Sequence, residues 1–373
     1  MKRRVLHVID SLDLGGAQTL LLDICKHADG ERYAVEVACM HGRGVFADEF
    51  EKAGIKVHSL SPSKWPPRYI PNFIGLLGSL APDIIHFHLF GSNLIAKPLA
   101  PLIGKSALIS HDHCNDAGRG NPFLLFADAL ANRVASRVIA VAESVRSFLI
   151  RHEGMDPGRV VTLPNGVDAR IFAPANEGER AGSKAAFGIP DGAVVIGGVG
   201  RLVPQKNFSL FLDVAARMTS RYPQVHFVVA GTGQQEGELK QKVALLGIKD
   251  NVRFLGHVTD RVSLYHAFDV LLMTSDFEGT PMTLLEAMSC GLPVVASSVD
   301  GIAEVCKNER DALLVPAREE QGFVSALERV LGEEGLARKL GANARSTILE
   351  RYEIRGLVRR IEALYQTVLE EQR

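Results

Sequence analysis

Short apolar runs alternate with amphipathic stretches along almost the entire chain. The apolar runs have the length of buried parallel strands, and helical spacing of apolar residues follows most of them. This alternation predicts right-handed crossovers and doubly wound parallel sheets. The predicted strands lie at 4–10, 33–39, 55–60, 83–88, 108–110, 137–141, 160–163, 194–200, 225–230, 270–273 and 312–316, with one more from 293. The predicted helices lie at 45–53, 70–80, 122–136, 143–150, 319–331, 334–350 and 352–370, with others opening near 16, 208 and 281.

The length of 373 residues predicts about two domains. The segment 173–192 is rich in Ala, Gly, Glu and Pro, which is typical of a linker. We therefore place a first Rossmann-like domain at residues 1–173 and a second at residues 174–351.

Composition argues against several classes of protein. Hydrophobic residues make up 46% of the chain and charged residues 23%, as in an ordinary globular protein with a large core. A net charge of -1 argues against a nucleic-acid partner bound through phosphate neutralisation. The cysteines are scattered and include no C-x-x-C pair, which favours a reducing compartment over a disulfide framework or a zinc–thiolate site. Because no signal-like or membrane-spanning run is evident, we expect a cytoplasmic protein.

The pattern between 270 and 295 predicts a strand, a turn, a helix and a second strand. Thr280 can cap the helix, and Pro281 suits its first position because no backbone N–H is needed there. Gly291 then closes the helix, and Pro293 prevents it from continuing.

Two acids frame the start of this helix. Glu286 is the only charge in an otherwise apolar helix, which is typical of a buried one, and Glu278 lies in the preceding turn. A buried carboxylate needs partners, whereas the unpaired N–H groups of a helix N-terminus favour a phosphate. The arrangement predicts an anion-binding cleft, although each acid could instead be structural and bonded to neighbouring backbone.

Other strand-to-helix turns carry residues that suit phosphate. Gly15 and Gly16 follow the first strand, where they form either a tight turn or a ligand loop. Arg201 and Lys206 follow a later strand; cations in such loops are usually solvated, but ligands bind at the carboxyl ends of parallel strands. The glycines at 231–237 occur in the second strand unit of their domain, so we interpret them as a turn and not as an NAD site.

Four histidines lie at the carboxyl ends of two predicted strands: His86, His88, His111 and His113. A zinc site is one interpretation, since histidine is a common zinc ligand, but no acid or thiolate completes a convincing set. The alternative is that they are hydrogen-bonded core residues, which we prefer for His86. We expect His88 and His113 to face an acceptor.

The segment 61–69 is a Pro-rich loop that holds the only tryptophan, Trp65, between Lys64 and Arg68. An aromatic side chain with flanking cations suits a sugar or a lipid phosphate, so Trp65 is a candidate acceptor contact. A packed surface loop is the alternative.

The spacing of Glu278 and Glu286, with Ala-Met-Ser-Cys-Gly-Leu-Pro-Val-Val after it, resembles the E-x7-E signature of retaining glycosyltransferases of family 4. The resemblance implies the GT-B fold, in which two Rossmann-like domains face each other across a cleft. It implies that the first domain binds the acceptor and the second the nucleotide sugar. It also implies that the last helix, 352–373, crosses back to complete the first domain.

The resemblance implies roles for individual residues. Arg201 and Lys206 would grip the donor diphosphate, the first as a planar fork and the second as a point charge. Glu278 would contact the donor sugar near the reacting centre, and Glu286 would accept the ribose hydroxyls. The other expected donor contacts are Gly15, Gly16, Gly256 beside the base, Thr280, Met282, Thr283, and His111 on the sugar. Asp300 replaces a glycine of the family's second Gly-Gly pair, which puts close backbone packing there in doubt.

The implied reaction moves a sugar, with retention, from a nucleoside diphosphate to an acceptor hydroxyl of a polysaccharide, glycolipid or other glycoconjugate. UDP is the favoured carrier. No Asp-x-Asp triplet occurs in the sequence, so we expect no metal and no other cofactor. Peripheral attachment to the inner membrane face is a further expectation. A sugar-nucleotide epimerase, an NAD-linked oxidoreductase and a non-catalytic carbohydrate-binding protein stay open as alternatives.

Overall fold

The computed structural model describes residues 2–13, 15–61, 69–113, 122–190 and 192–372. The chain forms two compact units, Met1–Gly166 with Ile354–Arg373, and Val167–Glu353. The units divide seven residues before the predicted boundary at 173/174, and the last segment joins the first unit.

The first unit is built on a parallel sheet whose seven strands lie in the order β3-β2-β1-β4-β5-β6-β7. The strands are β1 (Arg3–Ile9), β2 (Tyr33–Cys39), β3 (Lys56–Ser59), β4 (Ile84–His88), β5 (Ala107–Asp112), β6 (Arg137–Ala140) and β7 (Val160–Thr162). The chain order reverses between β1 and β4, so their carboxyl ends form the switch point at which open sheets bind ligands. The predicted doubly wound architecture is confirmed.

Helices and short helical turns cover both faces of this sheet. They are α1 (Gly16–His27), α2 (Ala47–Lys52), α3 (Tyr69–Leu80), α4 (Pro122–Asn132), α5 (Glu143–His152), a π-helical turn at Ser92–Ala96 and a 3-10 segment at Lys97–Leu102. A last helix of this unit, α14, spans Ile354–Glu371 and packs against α1. Its Tyr365 hydroxyl lies 2.7 Å from Nδ1 of His86, so the end of the chain is hydrogen bonded to the middle of this sheet.

The second unit contains a six-stranded parallel sheet in the order β10-β9-β8-β11-β12-β13. Its strands are β8 (Val194–Val199), β9 (Val225–Ala230), β10 (Val252–Gly256), β11 (Val270–Met273), β12 (Val294–Ser297) and β13 (Leu313–Val315). The switch point lies between β8 and β11. The loops after these two strands carry the predicted cations and acids, so the topology itself brings them together.

Eight α-helices belong to the described part of the second unit. They are α6 (Glu177–Ala186), α7 (Phe208–Arg221), α8 (Glu236–Leu245), α9 (Arg261–His266), α10 (Met282–Ser289), α11 (Asp300–Val305), α12 (Glu320–Gly332) and α13 (Leu336–Thr347). Phe211, Phe227 and Phe323 lie at 0% exposure in a single large core that α7, α12 and the sheet share.

Helix α6 corrects the predicted linker at 173–192. Asn176 accepts a hydrogen bond from the backbone N–H of Glu179, and the Glu179 side chain accepts one from the backbone of Asn176, which is a capping box. The Asn-x-x-Glu spacing is visible in the sequence, but the high content of small residues masked it. The same helix is anchored by Arg180, which donates to the carbonyl of Phe268 at 3.0 Å.

Candidate active site

Helix α10 is buried at its start as well as along its length. Leu284 is 0% exposed, Met282 is 6% exposed and Thr280, just before the helix, is 4% exposed. Pro281, with an extended ψ of 127°, is the N-cap residue, so the helix begins at Met282 and the predicted cap position of Thr280 is wrong by one residue. Gly291 closes the helix with a positive φ of 74°, as predicted.

The loops after β8 and β11 are hydrogen bonded to each other. The Gln205 amide donates to the carbonyl of Phe277 at 3.0 Å, and the backbone N–H of Asp276 donates to the carbonyl of Gln205 at 2.8 Å. Asn207 donates to the Asp276 carboxylate at 3.1 Å. These bonds fix the loop with the predicted cations against the loop with the predicted acid.

Lys206 and Glu278 form a shielded ion pair where these loops meet. Nζ of Lys206 lies 2.5 Å from Oε1 of Glu278, and the two side chains are 14% and 5% exposed. The Ser275 hydroxyl donates to the same carboxylate oxygen at 2.7 Å. Attraction between charges is stronger away from bulk water, so this pair is held more firmly than a surface one. The sequence analysis predicted both residues but not that they pair.

Arg201 and Thr283 both have unused hydrogen-bonding capacity. The Arg201 side chain is exposed and forms no ion pair within the described part of the chain. The Thr283 hydroxyl, in the first turn of α10, is buried without a hydrogen-bond partner. Because buried polar atoms are normally paired, the Thr283 hydroxyl is a ready donor to a bound anion.

Glu286 is held by two residues that the sequence analysis did not single out. Its carboxylate pairs with the guanidinium of Arg261, and the Tyr265 hydroxyl donates to it at 2.7 Å. Both partners lie on α9. Burial, together with the Glu286 charge, raises the pKa of Tyr265 well above its usual value, so the phenol stays protonated as a donor. Glu286 is 1% exposed, so the structure places it beneath the surface and not in open contact with solvent.

Glycines allow the backbone of neighbouring loops to touch. A Cβ atom on Gly231 would lie 1.9 Å from the carbonyl oxygen of Gly200, and one on Gly301 would lie 1.8 Å from that of Gly279. Backbone packing is therefore close beside Asp300, contrary to the doubt raised from the sequence. Asp300 itself has φ 35°, in the left-handed region that favours glycine.

The remaining glycines of the predicted donor site lie at strand ends. Gly256 ends β10 with φ 64°, and its carbonyl accepts from the backbone N–H of Gly231 at 2.7 Å. In the first unit, Gly16 begins α1 directly after Gly15, and a side chain at Gly15 would meet the Gln18 amide oxygen at 2.4 Å. Gly15 and Gly256 are half-buried, and Gly16 is exposed.

The predicted histidines cluster with a fifth, His7, on one face of the first sheet. Strand register sets His7 beside His86, and His88 beside His111. Nδ1 of His7 lies 2.9 Å from Nε2 of His88, whose Nδ1 lies 3.4 Å from Nε2 of His113. Burial lowers the pKa of His7 to about 3 and that of His113 to about 4, so the rings are neutral at neutral pH.

The geometry of the cluster does not decide between a zinc site and a set of hydrogen-bonded core residues. Two sets of three ring nitrogens lie within 4.8 Å of one another, one in His7, His86 and His88, the other in His88, His111 and His113. Neutral imidazoles at this spacing are compatible with a metal ion. Both ring nitrogens of His111, which was predicted to contact the donor sugar, are buried without a hydrogen-bond partner, and the residue is 0% exposed.

Two of the three predicted acceptor contacts, His88 and His113, lie in the described part of the chain. His88 is fully buried and bonded through both ring nitrogens, so a direct acceptor contact through His88 is not supported. His113 is only partly buried and keeps an accessible edge. Trp65 lies outside the described residues.

A polar network fills the opposite face of β5, and sequence analysis missed it. Nζ of Lys97, at 0% exposure, donates to Ser110 at 2.6 Å and to Asn132 at 2.5 Å, and Asn132 donates to Glu153 at 2.9 Å. Burial raises the pKa of Glu153 to about 8 and lowers that of Lys97 to about 8. Each of these residues looks like a surface residue in the sequence. Only the packing of α4 and α5 encloses them.

Two family models cover most of the chain. The model described as Glycosyltransferase Family 4 matches residues 14–170, and the model described as Glycosyl transferases group 1 matches residues 179–347. The second match contains the Lys206–Glu278 pair and the whole of α10.

Named relatives agree with these models. UDP-Gal:alpha-D-GlcNAc-diphosphoundecaprenol alpha-1,3-galactosyltransferase of Escherichia coli is 29% identical over 292 residues, 76% of this chain and 75% of that protein. EpsF of Bacillus subtilis is 30% identical over 315 residues, 81% of this chain and 80% of that protein.

Solved structures match the fold over nearly the full length. HepE of Anabaena in complex with UDP-glucose gives a TM-score of 0.88 at 23% identity, covering 98% of this chain and 99% of that one. The sucrose-phosphate synthase of Thermosynechococcus elongatus gives 0.85 at 18% identity, covering 99% and 100%. The implied GT-B fold is thus confirmed, and the identity and coverage of the relatives show that this chain is a glycosyltransferase that belongs to family 4.

Proposed function

We propose that the protein transfers the sugar of a UDP-sugar to an acceptor hydroxyl, with retention of configuration at the anomeric carbon. The observation that carries this proposal is the Lys206–Glu278 pair at the switch point between β8 and β11. The pair places Lys206, a cation that can bind a diphosphate, next to Glu278, an acid that can contact a sugar. Both lie beside the start of the buried helix α10. Solved structures of similar fold that contain UDP or UDP-glucose support the choice of carrier.

The main chemical task is to stabilise the departing diphosphate. As the bond between the anomeric carbon and the phosphate oxygen breaks, negative charge grows on that oxygen. Lys206 and the exposed Arg201 supply positive charge, and the unpaired Thr283 hydroxyl supplies a donor in the first turn of α10. The helix N-terminus adds further N–H groups.

We assign no protein nucleophile. In a front-face reaction the acceptor oxygen forms its bond to the anomeric carbon on the side from which the diphosphate leaves, and the acceptor proton passes to a phosphate oxygen. Glu278 is then a contact to the donor sugar. Its pairing with Lys206 holds it in place, which suits orientation better than attack.

Glu286 is assigned to the ribose hydroxyls, following the family resemblance. Because Glu286 is 1% exposed, this contact requires the side chains over it to open when the donor binds. Arg261 is the natural candidate for that movement, since it is 30% exposed while its partner is buried.

The acceptor is proposed to be a growing glycan or a lipid-linked sugar. The named acceptor of the Escherichia coli relative is a sugar on diphosphoundecaprenol, which supports a lipid-linked class. His113 and Trp65 are the proposed acceptor contacts, and Gly16 and His111 are proposed to contact the donor.

The proposal is tested by offering a panel of nucleotide sugars and measuring melting temperature, since a ligand at 100 times its Kd adds ~2.7 kcal/mol to stability. The stabilising donor is then incubated with and without polyprenyl-diphosphate sugars. Proton NMR of the product reports its anomeric configuration. An inverted product would contradict the retaining mechanism, whereas conversion of the donor to another sugar nucleotide without acceptor would identify an epimerase.

A further inference from the structure

Arg318, in the loop between β13 and α12, binds the carboxylate of Asp276 at two points. Nε of Arg318 lies 3.0 Å from Oδ1 of Asp276, and Nη2 lies 2.9 Å from Oδ2. A two-point contact fixes the direction of a carboxylate as well as its distance, which a single bond does not. Arg318 follows β13 and Asp276 follows β11, so the contact joins two loops at the carboxyl edge of the second sheet.

The same carboxylate has a second partner in Asn207, the residue after Lys206. Nδ2 of Asn207 donates to Oδ1 of Asp276 at 3.1 Å. Asn207 has φ 48° and Arg318 has φ 66°, and both angles lie in the left-handed region. Asparagine tolerates this region better than arginine does, so Arg318 is the more strained of the two. A strained backbone of this kind persists where the surrounding contacts hold it, and it is frequent at functional sites.

Asp276 lies in the same loop as Glu278 and beside contacts of the Lys206–Glu278 pair. Ser275, directly before it, donates to Oε1 of Glu278 at 2.7 Å. The backbone N–H of Asp276 donates to the carbonyl of Gln205, directly before Lys206, at 2.8 Å. A carboxylate fixed at position 276 therefore restrains the backbone that carries both members of the pair. Such restraint matters for rate, since a misplacement of about 1 Å at a reacting centre can cost about 10²-fold.

The exposure of the Arg318 side chain argues against a role in stability alone. It is 74% exposed, whereas the Asp276 side chain is 20% exposed. Exposed ion pairs contribute little to stability, because water screens them. The left-handed backbone of Arg318 reduces that contribution further. Orientation of a loop, by contrast, depends on the geometry of the contact, which is two-point here.

We propose that Arg318 is a positioning residue for sugar transfer, and that it orients the loop of Glu278 by holding Asp276. This inference rests on the proposed function, because it concerns the placement of the Lys206–Glu278 pair. Arg318 acts only through Asp276 and contacts neither the donor nor the acceptor.

Three variants of the full chain test this role. Arg318→Gly removes the contact and suits the left-handed backbone, so it should not lower the melting temperature. Arg318→Lys keeps the charge but not the two-point geometry. The matched control is Arg329→Ala, since Arg329 also binds a carboxylate at two points, with Nη1 and Nη2 lying 2.6 Å and 3.0 Å from the oxygens of Glu309. Glu309 precedes β13, so this control lies at the opposite end of that strand.

Amide hydrogen exchange, read by mass spectrometry without substrate, reports how firmly the loop 274–280 is held. Exchange in 274–280 should be faster in Arg318→Gly than in the parent and unchanged in Arg329→Ala. Initial rates should give a kcat roughly tenfold lower in Arg318→Gly, with a smaller fall in Arg318→Lys. Combining Arg318→Gly with Asp276→Ala should give a kcat no lower than that of Asp276→Ala alone, because one residue acts through the other.

The two measurements separate failure of this role from failure of the proposed function. A parent that transfers no sugar from any nucleotide sugar refutes the proposed function, and this role with it. If the parent is active, unchanged exchange in 274–280 or a parent-like kcat in Arg318→Gly refutes the positioning role alone. A fall in kcat that accompanies a lower melting temperature in Arg318→Gly would also refute it, since Arg318 would then be a stabilising residue.

Discussion

Nζ of Lys206 lies 2.5 Å from Oε1 of Glu278, so the cation predicted for the donor diphosphate contacts the acid predicted for the donor sugar. The pair is shielded from water and supported by the Ser275 hydroxyl. In the proposed site, an incoming diphosphate would meet a lysine whose position is already set by the Glu278 carboxylate. Preorganised charge of this kind costs no rearrangement at the moment of reaction.

Replacing Lys206 or Arg201 by alanine is expected to lower kcat by about 10²- to 10³-fold, because positive charge facing the departing phosphate is lost. Initial rates with a fixed acceptor measure the effect. Lys242→Ala is the control, since Lys242 pairs with Asp213 at 2.6 Å on the surface of the same unit. Near-normal turnover in the double Arg201/Lys206 variant would show that the diphosphate binds elsewhere.

Glu286→Gln is expected to raise the donor KM and to destabilise the second unit. The substitution removes the charge that pairs with Arg261, and a hydrogen bond to a charged group contributes about 1.5–3 kcal/mol. Urea unfolding measures the stability and donor titration measures the affinity. Tyr265→Phe separates the two effects: it removes one hydrogen bond from Glu286 and keeps the charge, so it should reduce stability with little change in KM. Unaltered donor affinity in Glu286→Gln would remove Glu286 from the ribose site.

The sequence predicted the parts of the fold that follow from local pattern. The apolar strands, the turns at their ends and the acid spacing in 278–286 are all local features, and the structure contains them. The linker prediction was wrong because it relied on the high content of small residues. It overlooked the capping box that Asn176 and Glu179 form at the start of α6. The extended backbone of Pro281 likewise shifted the start of α10.

Contacts between elements that lie far apart along the chain could not be predicted from the sequence. The partners of Glu286 come from α9, and Lys97, Asn132 and Glu153 meet only when α4 and α5 pack on β5. Nothing in the spacing of these residues signals a network, since each polar side chain alone is typical of a surface. The exposure of apolar residues on α4 could not be predicted for the same reason. From the sequence alone, Phe126 would be expected in the core, but it is 68% exposed.

The stability contribution of Glu153 is expected to fall as pH rises. Burial raises its folded pKa from 4.5 to about 8, so folding favours the protonated acid. The contribution is full below pH 4.5 and is lost as pH rises through about 8. In Glu153→Gln the side chain cannot ionise, so the melting temperature of this variant minus that of the parent should increase between pH 5 and pH 8.

Glu143→Gln is the control for that measurement. The pKa of Glu143 is lowered by hydrogen bonds from Thr162 and Arg146, in spite of partial burial. Its contribution is therefore present above pH 4.5 and lost only at lower pH, so its melting-temperature difference should stay constant between pH 5 and pH 8. A flat difference for Glu153→Gln as well would mean that Glu153 is ionised in the folded protein.

Removal of divalent metal ions is expected to leave transfer unchanged, because Arg201, Lys206 and the start of α10 supply the positive charge that a metal would otherwise provide. The measurement is the transfer rate after dialysis against EDTA, compared with untreated enzyme. A loss of activity on dialysis would point to the histidine cluster, since His88, His111 and His113 offer three nitrogens within 4.8 Å of one another. If activity were lost on dialysis and restored by zinc, and if His113→Ala abolished that restoration, the cluster would be a metal site and metal-free transfer would be wrong.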